Sequence, residues 1–364
     1  MNTIEKLGKI EAIALVITIA LNQVIFNYPN MLLVHSGTGS WLNTIYTTII
    51  ALIIVIFLSK LFKAFPNKDI IDISAYCGGK FLKILMSIIC LIFFIFIASL
   101  FTRYFVNSIK LIYFQKMPLT LLLILFILPP VVANRMGLKS IAGVDLISLP
   151  VTLISTSVLF FANLREFSFN NLFPILGYGS KNIFLNELTN IFCFTGLIYL
   201  LFLPPLLKEH KTFKTTSILY ITFSGIYLLL SLMALLMSLP SIAITDEMLS
   251  IYLLARIIRF GKFFQRIDAV FIFLWIFAVF SFISFTFFII LHILKKATNA
   301  KDSRELVYSM SSIVFSSALI VTDISEAKYL ARVPLKYGFI SLLLISICLL
   351  ILANIKNKRS KKVN

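Results

Sequence analysis

The chain has 364 residues, 60% of them hydrophobic and only 13% charged, with a formal net charge of +18 at pH 7. That composition, with a mean hydropathy of +1.00, excludes a soluble globular protein and implies an all-α polytopic membrane protein. The basic residues lie in short clusters between apolar runs and form no stripe interleaved with aromatics, so nucleic acid is excluded as a partner and the charge serves orientation in a bilayer.

Apolar runs predict about ten transmembrane helices in one domain covering 1–364, at 10–34, 41–59, 82–107, 118–133, 141–162, 186–207, 216–238, 267–294, 306–322 and 335–354. Lys6 and Lys9 precede the first, which lacks a small-residue cleavage pattern and reads as a retained segment. With the N-terminus inside, most of the 33 basic residues fall on one side, which predicts both termini in the cytoplasm.

The first span carries Asn22, Gln23 and Asn27 and then Pro29, where a bilayer offers no partner for an amide and proline removes a donor. Two readings stand for these residues alone: a short helix with a polar cap, or a helix broken within the membrane that holds a small polar ligand. The sixth span has Thr195-Gly196 near its centre and Pro204-Pro205 near its end, a second interruption at the start of a second group of five. Five helices per half with reversed parity predict an inverted repeat, 10–162 against 186–354, with discontinuous first and sixth helices.

Between the halves, Phe173-Pro174-Ile175-Leu176-Gly177-Tyr178-Gly179 makes a turn-rich outer loop without the lysine and hydroxyl of a phosphate loop. After the seventh span, Leu249, Tyr252, Leu253, Ile257 and Phe260 recur at helical spacing beside Arg256, Arg259 and Lys262, predicting an outer amphipathic helix at about 246–264, either a lid or an interfacial element.

Ionisable residues within spans are scarce. Arg103, Arg266 and Asp268 fall toward the outer ends of spans three and eight and are candidates for a vestibule or gate; Arg103 either attracts a carboxylate there or snorkels to headgroups. Asp145, in the first turn of span five, is explained by the helix dipole. His35, His210 and His292 are isolated and Cys77, Cys90, Cys193 and Cys348 are scattered, so neither a metal site nor a disulfide framework is expected. The motifs of metalloproteases, serine hydrolases and phosphate loops are missing, which argues against an enzyme and against a cofactor.

The run into Pro29, the 173–179 loop leading to Gly196 and Pro204, and Arg266-Ile267-Asp268-Ala269-Val270-Phe271 followed by Trp275 together resemble the endospore germination permease family, the B subunits of nutrient germinant receptors. The resemblance implies a fold similar to the amino acid–polyamine–organocation transporters, A-type and lipoprotein C-type partner subunits, a spore inner membrane or cell membrane location, and a small nutrient ligand such as an amino acid. It places the ligand at Asn22, Gln23, Val24 and Phe26 of the first span and Phe194, Thr195, Gly196 and Tyr199 of the sixth. Ile198 and Tyr199 stand where many members of the family have a glutamate, so specificity or ion response is expected to differ. An amino acid permease of similar fold, working without receptor partners, is the alternative.

Overall fold

The computed structural model describes residues 6–239, 250–258, 268–299, 305–322 and 324–363, and they are almost wholly helical. Helix α1 (Lys9–Ile25) is followed by α2 (Tyr28–Ser36), a 3₁₀ turn (Gly37–Gly39) and α3 (Ser40–Phe62). Next come α4 (Ile70–Ile112), α5 (Leu119–Met136), α6 (Leu138–Ala162) and the short α7 (Ser180–Phe184). A broken segment follows: a 3₁₀ stretch (Asn186–Phe194), α8 (Gly196–Leu200) and a 3₁₀ turn (Pro204–Leu206). The chain then forms α9 (His210–Ser238), α10 (Ser250–Ile257), α11 (Asp268–Thr298), α12 (Leu306–Ile320), α13 (Ile324–Arg332) and α14 (Pro334–Val363).

Seven stretches among the described residues are long and apolar enough to cross a membrane. The predicted spans at 41–59, 118–133, 141–162, 216–238, 267–294, 306–322 and 335–354 all coincide with helices. The 10–34 span is divided, as expected from its interruption, and its second part, α2, runs on toward α3. The third span starts earlier, because Asp69 caps α4 by accepting from the Ile71 and Asp72 amides at 3.1 Å each, and a kink at Gly78-Gly79 carries the helix into the membrane. Helix α10 lies within 246–264; the remainder of that stretch, and Arg266, lie outside the described residues.

Helix α1 occupies the centre, packed against α9, α6 and α11, and from Ala14 onward nearly every side chain on it is buried. Four asparagines fasten the bundle in the same way, each giving its amide hydrogens both to the carbonyl four residues back and to a carbonyl on another helix. Asn22 reaches Thr18 and Ala278, Asn134 reaches Pro130 and Ser284, Asn163 reaches Leu159 and Leu254, and Asn354 reaches Leu350 and Leu61, all at 2.8–3.1 Å. A side-chain amide in an apolar run thereby satisfies itself and joins two helices.

At the face holding the start of α1 and the end of α14, the segment before α1 pairs with the end of the broken segment: Leu7 N–H donates to Leu206 at 2.7 Å and Lys208 N–H to Leu7 at 3.0 Å. Beside it the buried Asp69 carboxylate lies 2.7 Å from His292 Nε2 and accepts from Lys296 at 2.6 Å, while Lys296 also reaches Asp72 at 2.5 Å. This junction of α4 and α11 was not read from the sequence. Burial opposes ionisation of Asp69, but the hydrogen bond from His292 and the charge of Lys296 outweigh it and hold the carboxyl well below the usual carboxylate range.

A depressed carboxylate contributes its full stability above its unfolded value of about 4 and loses it progressively as pH falls from there through the lower folded value. Asp69→Asn is therefore expected to cost about 3 kcal/mol at pH 7. Thermal unfolding of both proteins between pH 7 and pH 3 checks this: the gap between them should stay constant down to about pH 4 and narrow below it.

Candidate functional site

The break between α1 and α2 is local. Asn22 and Gln23 remain helical, and regular hydrogen bonding runs through Phe26 N–H to the Asn22 carbonyl at 2.8 Å. The chain turns at Asn27, in the left-handed region at φ 67°, which asparagine tolerates better than most residues. Pro29 then sits in the first turn of α2, where its missing N–H costs nothing. The unwound backbone expected around Asn22 is thus displaced to Phe26-Asn27.

The other partner is more irregular than its sequence suggested. The 3₁₀ stretch Asn186–Phe194 is itself interrupted by a kink at Glu187. Asn43 on α3 ties it to the end of α7, donating to the carbonyls of Ile183 at 2.7 Å and Glu187 at 3.2 Å, and accepts from Asn190 at 2.9 Å.

One buried tyrosine joins the two interruptions. The Tyr220 hydroxyl on α9 accepts from Gln23 Nε2 at 2.5 Å and from the Gly196 amide at 2.9 Å, while the Ser224 hydroxyl donates to Gln23 Oε1. Gly196 is required by this approach, since a Cβ there would stand 2.3 Å from the Tyr220 ring and hydroxyl. Thr195 Oγ1 accepts from the Tyr28 hydroxyl at 3.5 Å, and Asn27 shares a hydrogen bond with Tyr104. An aromatic layer continues the contact: Phe26 stacks on Phe101 with centroids 4.3 Å apart and meets Phe282 at 5.4 Å, and Phe282 meets Tyr199 at 5.9 Å. Tyr199 also shares a 2.8 Å hydrogen bond with Thr286.

The structure thus gathers Gln23, Phe26, Thr195, Gly196 and Tyr199 at one junction, with Val24 and Phe194 also fully buried. Asn22 commits its amide nitrogen to Thr18 on its own helix and to Ala278 on α11, but its Oδ1 is buried without a hydrogen-bond partner. Arg103 and Asp268 lie elsewhere. Asp268 accepts from Tyr113 at 2.9 Å and Tyr252 at 2.7 Å, tying the end of α4 and α10 to the start of α11.

These breaks, in an almost entirely helical membrane chain, set the frame for comparison with known proteins. Residues 6–327 match the family described as spore germination protein. The chain belongs to that spore germination protein family. It is 23% identical over 362 residues to spore germination protein A2 of Bacillus subtilis (strain 168), covering 98% of each chain. Against spore germination protein XB of Bacillus anthracis the identity is 26% over 331 residues, 90% of this chain and 92% of the relative. Among solved structures, a Na⁺-coupled sialic acid symporter in a substrate-bound outward-open state superposes with a TM-score of 0.62 at 13% identity, covering 92% of this chain and 78% of that one. A nucleobase-cation-symport-1 family transporter in a closed conformation with bromovinylhydantoin bound gives 0.56 at 15% identity, covering 87% and 71%. Both superpositions show a helical membrane fold shared with these transporters.

In this spore germination protein, sequence reasoning missed Tyr220 and Ser224, which look like ordinary polar residues of a span until α9 is packed on α1. It also misplaced Asp145. Helix α6 begins at Leu138, so Asp145 lies two turns inside it, 1% exposed, hydrogen-bonded to Ser281 and Thr18 of α11 and α1. The dipole at a helix start does not explain that position. Among the described residues no ion pair reaches it, leaving a buried acid among hydroxyls at the junction of three helices.

The Gly196–Tyr220 contact gives a direct test of the packing. Gly196→Ala should destabilise the protein by about 1–3 kcal/mol through overpacking, and by much less in a Tyr220→Ala background where the ring is gone. Thermal unfolding of the two single variants and the double variant measures the coupling; additive losses would contradict the geometry.

Proposed function

We propose that this chain is the membrane-embedded B subunit of a spore nutrient germinant receptor. It binds a small germinant such as an amino acid between the α1–α2 break and the broken segment around Gly196. It then signals to A-type and lipoprotein C-type subunits, or gates ion release, in the spore inner membrane with both termini cytoplasmic. Family membership supports the germination role. The observation that carries the site is the Gln23–Tyr220–Gly196 linkage, in which one side chain holds both interrupted helices and one ligand can therefore compete for both.

The ten-span, five-plus-five reading completes this proposal. Helix α1 at 17 residues, the broken segment and α12 at 15 residues add three crossings to the seven long ones. The packing pattern is consistent with exchange of the two halves. Helices α3 and α9 pack together, as do α4 and α11, each pair occupying equivalent places. The α1–α9 contact has its counterpart between the broken segment and α3, the α6–α11 contact between α14 and α4, and the α5–α11 contact between α12 and α4. An inverted repeat of 10–162 on 186–354 accounts for all of these.

Germinant binding triggers a response only through different affinities for two conformations. In this structure side chains fill the junction, so a ligand that takes the Gly196 amide must displace Tyr220, which gives binding a conformational consequence. Asp145 favours a second reading, an ion-coupled amino acid permease working without partners, because an unpaired acid within a bundle is a frequent place for a coupling ion.

Equilibrium binding of an amino-acid panel to the purified chain, alongside Asn22→Ala and Gly196→Leu, tests the site: at least tenfold weaker binding is expected in one or both, and unchanged affinity in both would remove it. Reconstitution separates the two functions. The receptor reading expects no sustained uptake by the chain alone in liposomes, and robust uptake of one amino acid without partners would establish the permease instead.

A further inference from the structure

Arg103 occupies the half of α4 remote from Asp69, and therefore the face opposite the Leu7–Leu206 pairing. It is 4% exposed, which excludes snorkelling to lipid headgroups. One terminal nitrogen, Nη2, donates to the Thr322 carbonyl at 3.0 Å; Nε and Nη1 are buried with no hydrogen-bond partner. Leaving donors of a buried cation unmet is costly, and no ion pair to an acid is found for it among the described residues. The neighbouring Glu326 carboxylate is engaged by the Thr322 amide and hydroxyl at 2.7 Å each.

Beside the guanidinium lies a cavity of about 340 Å³, open to the surface and lined by Arg103, Asn107, Lys110, Gln115, Leu119 and Thr322 among others. Two cations and two amides are among its lining residues, and among the described residues no acid lines it. The volume falls within the range of small-molecule pockets. The missing partner of this planar guanidinium is an oxyanion, which Nη1 and the second Nη2 hydrogen can hold end-on while Nη2 keeps its bond to Thr322.

We propose that this cavity is a carboxylate-binding vestibule, separate from the Gln23–Tyr220–Gly196 junction, in which Arg103 holds the carboxylate of a small solute and Lys110 adds a second positive charge at its mouth. The same oxyanion chemistry is available from a lipid phosphate. The near-complete burial of the guanidinium and the small volume favour the free solute over a headgroup attached to two acyl chains. The vestibule does not depend on the central site: it stands or falls on Arg103 whether or not the junction binds a germinant.

The probes are acetate and its uncharged isostere acetamide, titrated onto the purified full chain in neutral detergent and in nanodiscs of phosphatidylcholine or phosphatidylglycerol. Saturable binding of acetate but not acetamide is expected, at least tenfold weaker in Arg103→Gln and two- to fivefold weaker in Lys110→Gln, and equal in both nanodisc types. Equal binding of acetamide, or unaltered acetate affinity in a folded Arg103→Gln, would overturn the proposal. Loss of acetate binding in phosphatidylglycerol alone would also overturn it, by assigning the site to lipid phosphate. If Arg103→Gln does not fold, Arg103→Lys keeps the charge and loses the fork; weakened acetate binding supports the assignment and full retention contradicts it.

Discussion

Two helices interrupted inside a membrane leave backbone donors and acceptors that lipid cannot satisfy, and the rest of this structure is arranged around supplying their partners. Tyr220 meets the Gly196 amide and, with the same oxygen, the Gln23 side chain. Asn43 meets the carbonyls of Ile183 and Glu187 where the broken segment begins. Each partner comes from α3 or α9, the two helices that flank the breaks and pack on each other. Replacing water with protein side chains preserves the interruptions, and because the partners are side chains and not a main-chain ladder, a ligand can exchange with them.

The two ends of the broken segment are held by different means. At one end, main-chain bonds from Leu7 and Lys208 and the buried Asp69–His292–Lys296 cluster close the face near the termini. At the other, His35 Nδ1 lies 3.5 Å from Glu187, which is 3.6 Å from Lys336, and the 173–179 loop closes over the Gly37–Gly39 turn with Gly177 pressed against the Ser36 carbonyl, where no side chain fits. Both seals involve the same broken segment. A rearrangement at its centre therefore acts on both faces, as a receptor that converts binding into a membrane response requires.

Much of the architecture was legible because hydrophobic length and charge clusters report directly on the bilayer. Both interruptions were readable for the same reason: Asn27 with Pro29, and Gly196 with Pro204, are conspicuous in apolar runs. The partners were not. Tyr220, Ser224 and Asn43 become special only through helices brought together over long sequence separations, and period and composition carry no such pairing. Asn22 illustrates the opposite error. An amide within a span looks like a ligand contact, yet its nitrogen performs the helix-joining role that Asn134, Asn163 and Asn354 repeat, leaving only Oδ1 uncommitted. Asp145 was misjudged because its helix begins earlier than the apolar run does.

The central claim is that a germinant acts by exchanging with Tyr220 at the junction of the two breaks. The most direct measurement is hydrogen–deuterium exchange on the purified chain, with and without an amino acid shown to bind, comparing peptides spanning 20–30 and 192–202 with a reference peptide from α4 between 84 and 98. The expected result is a coupled change in exchange at both junction peptides while the reference stays constant. Binding that alters other regions and leaves both junction peptides unchanged would contradict it.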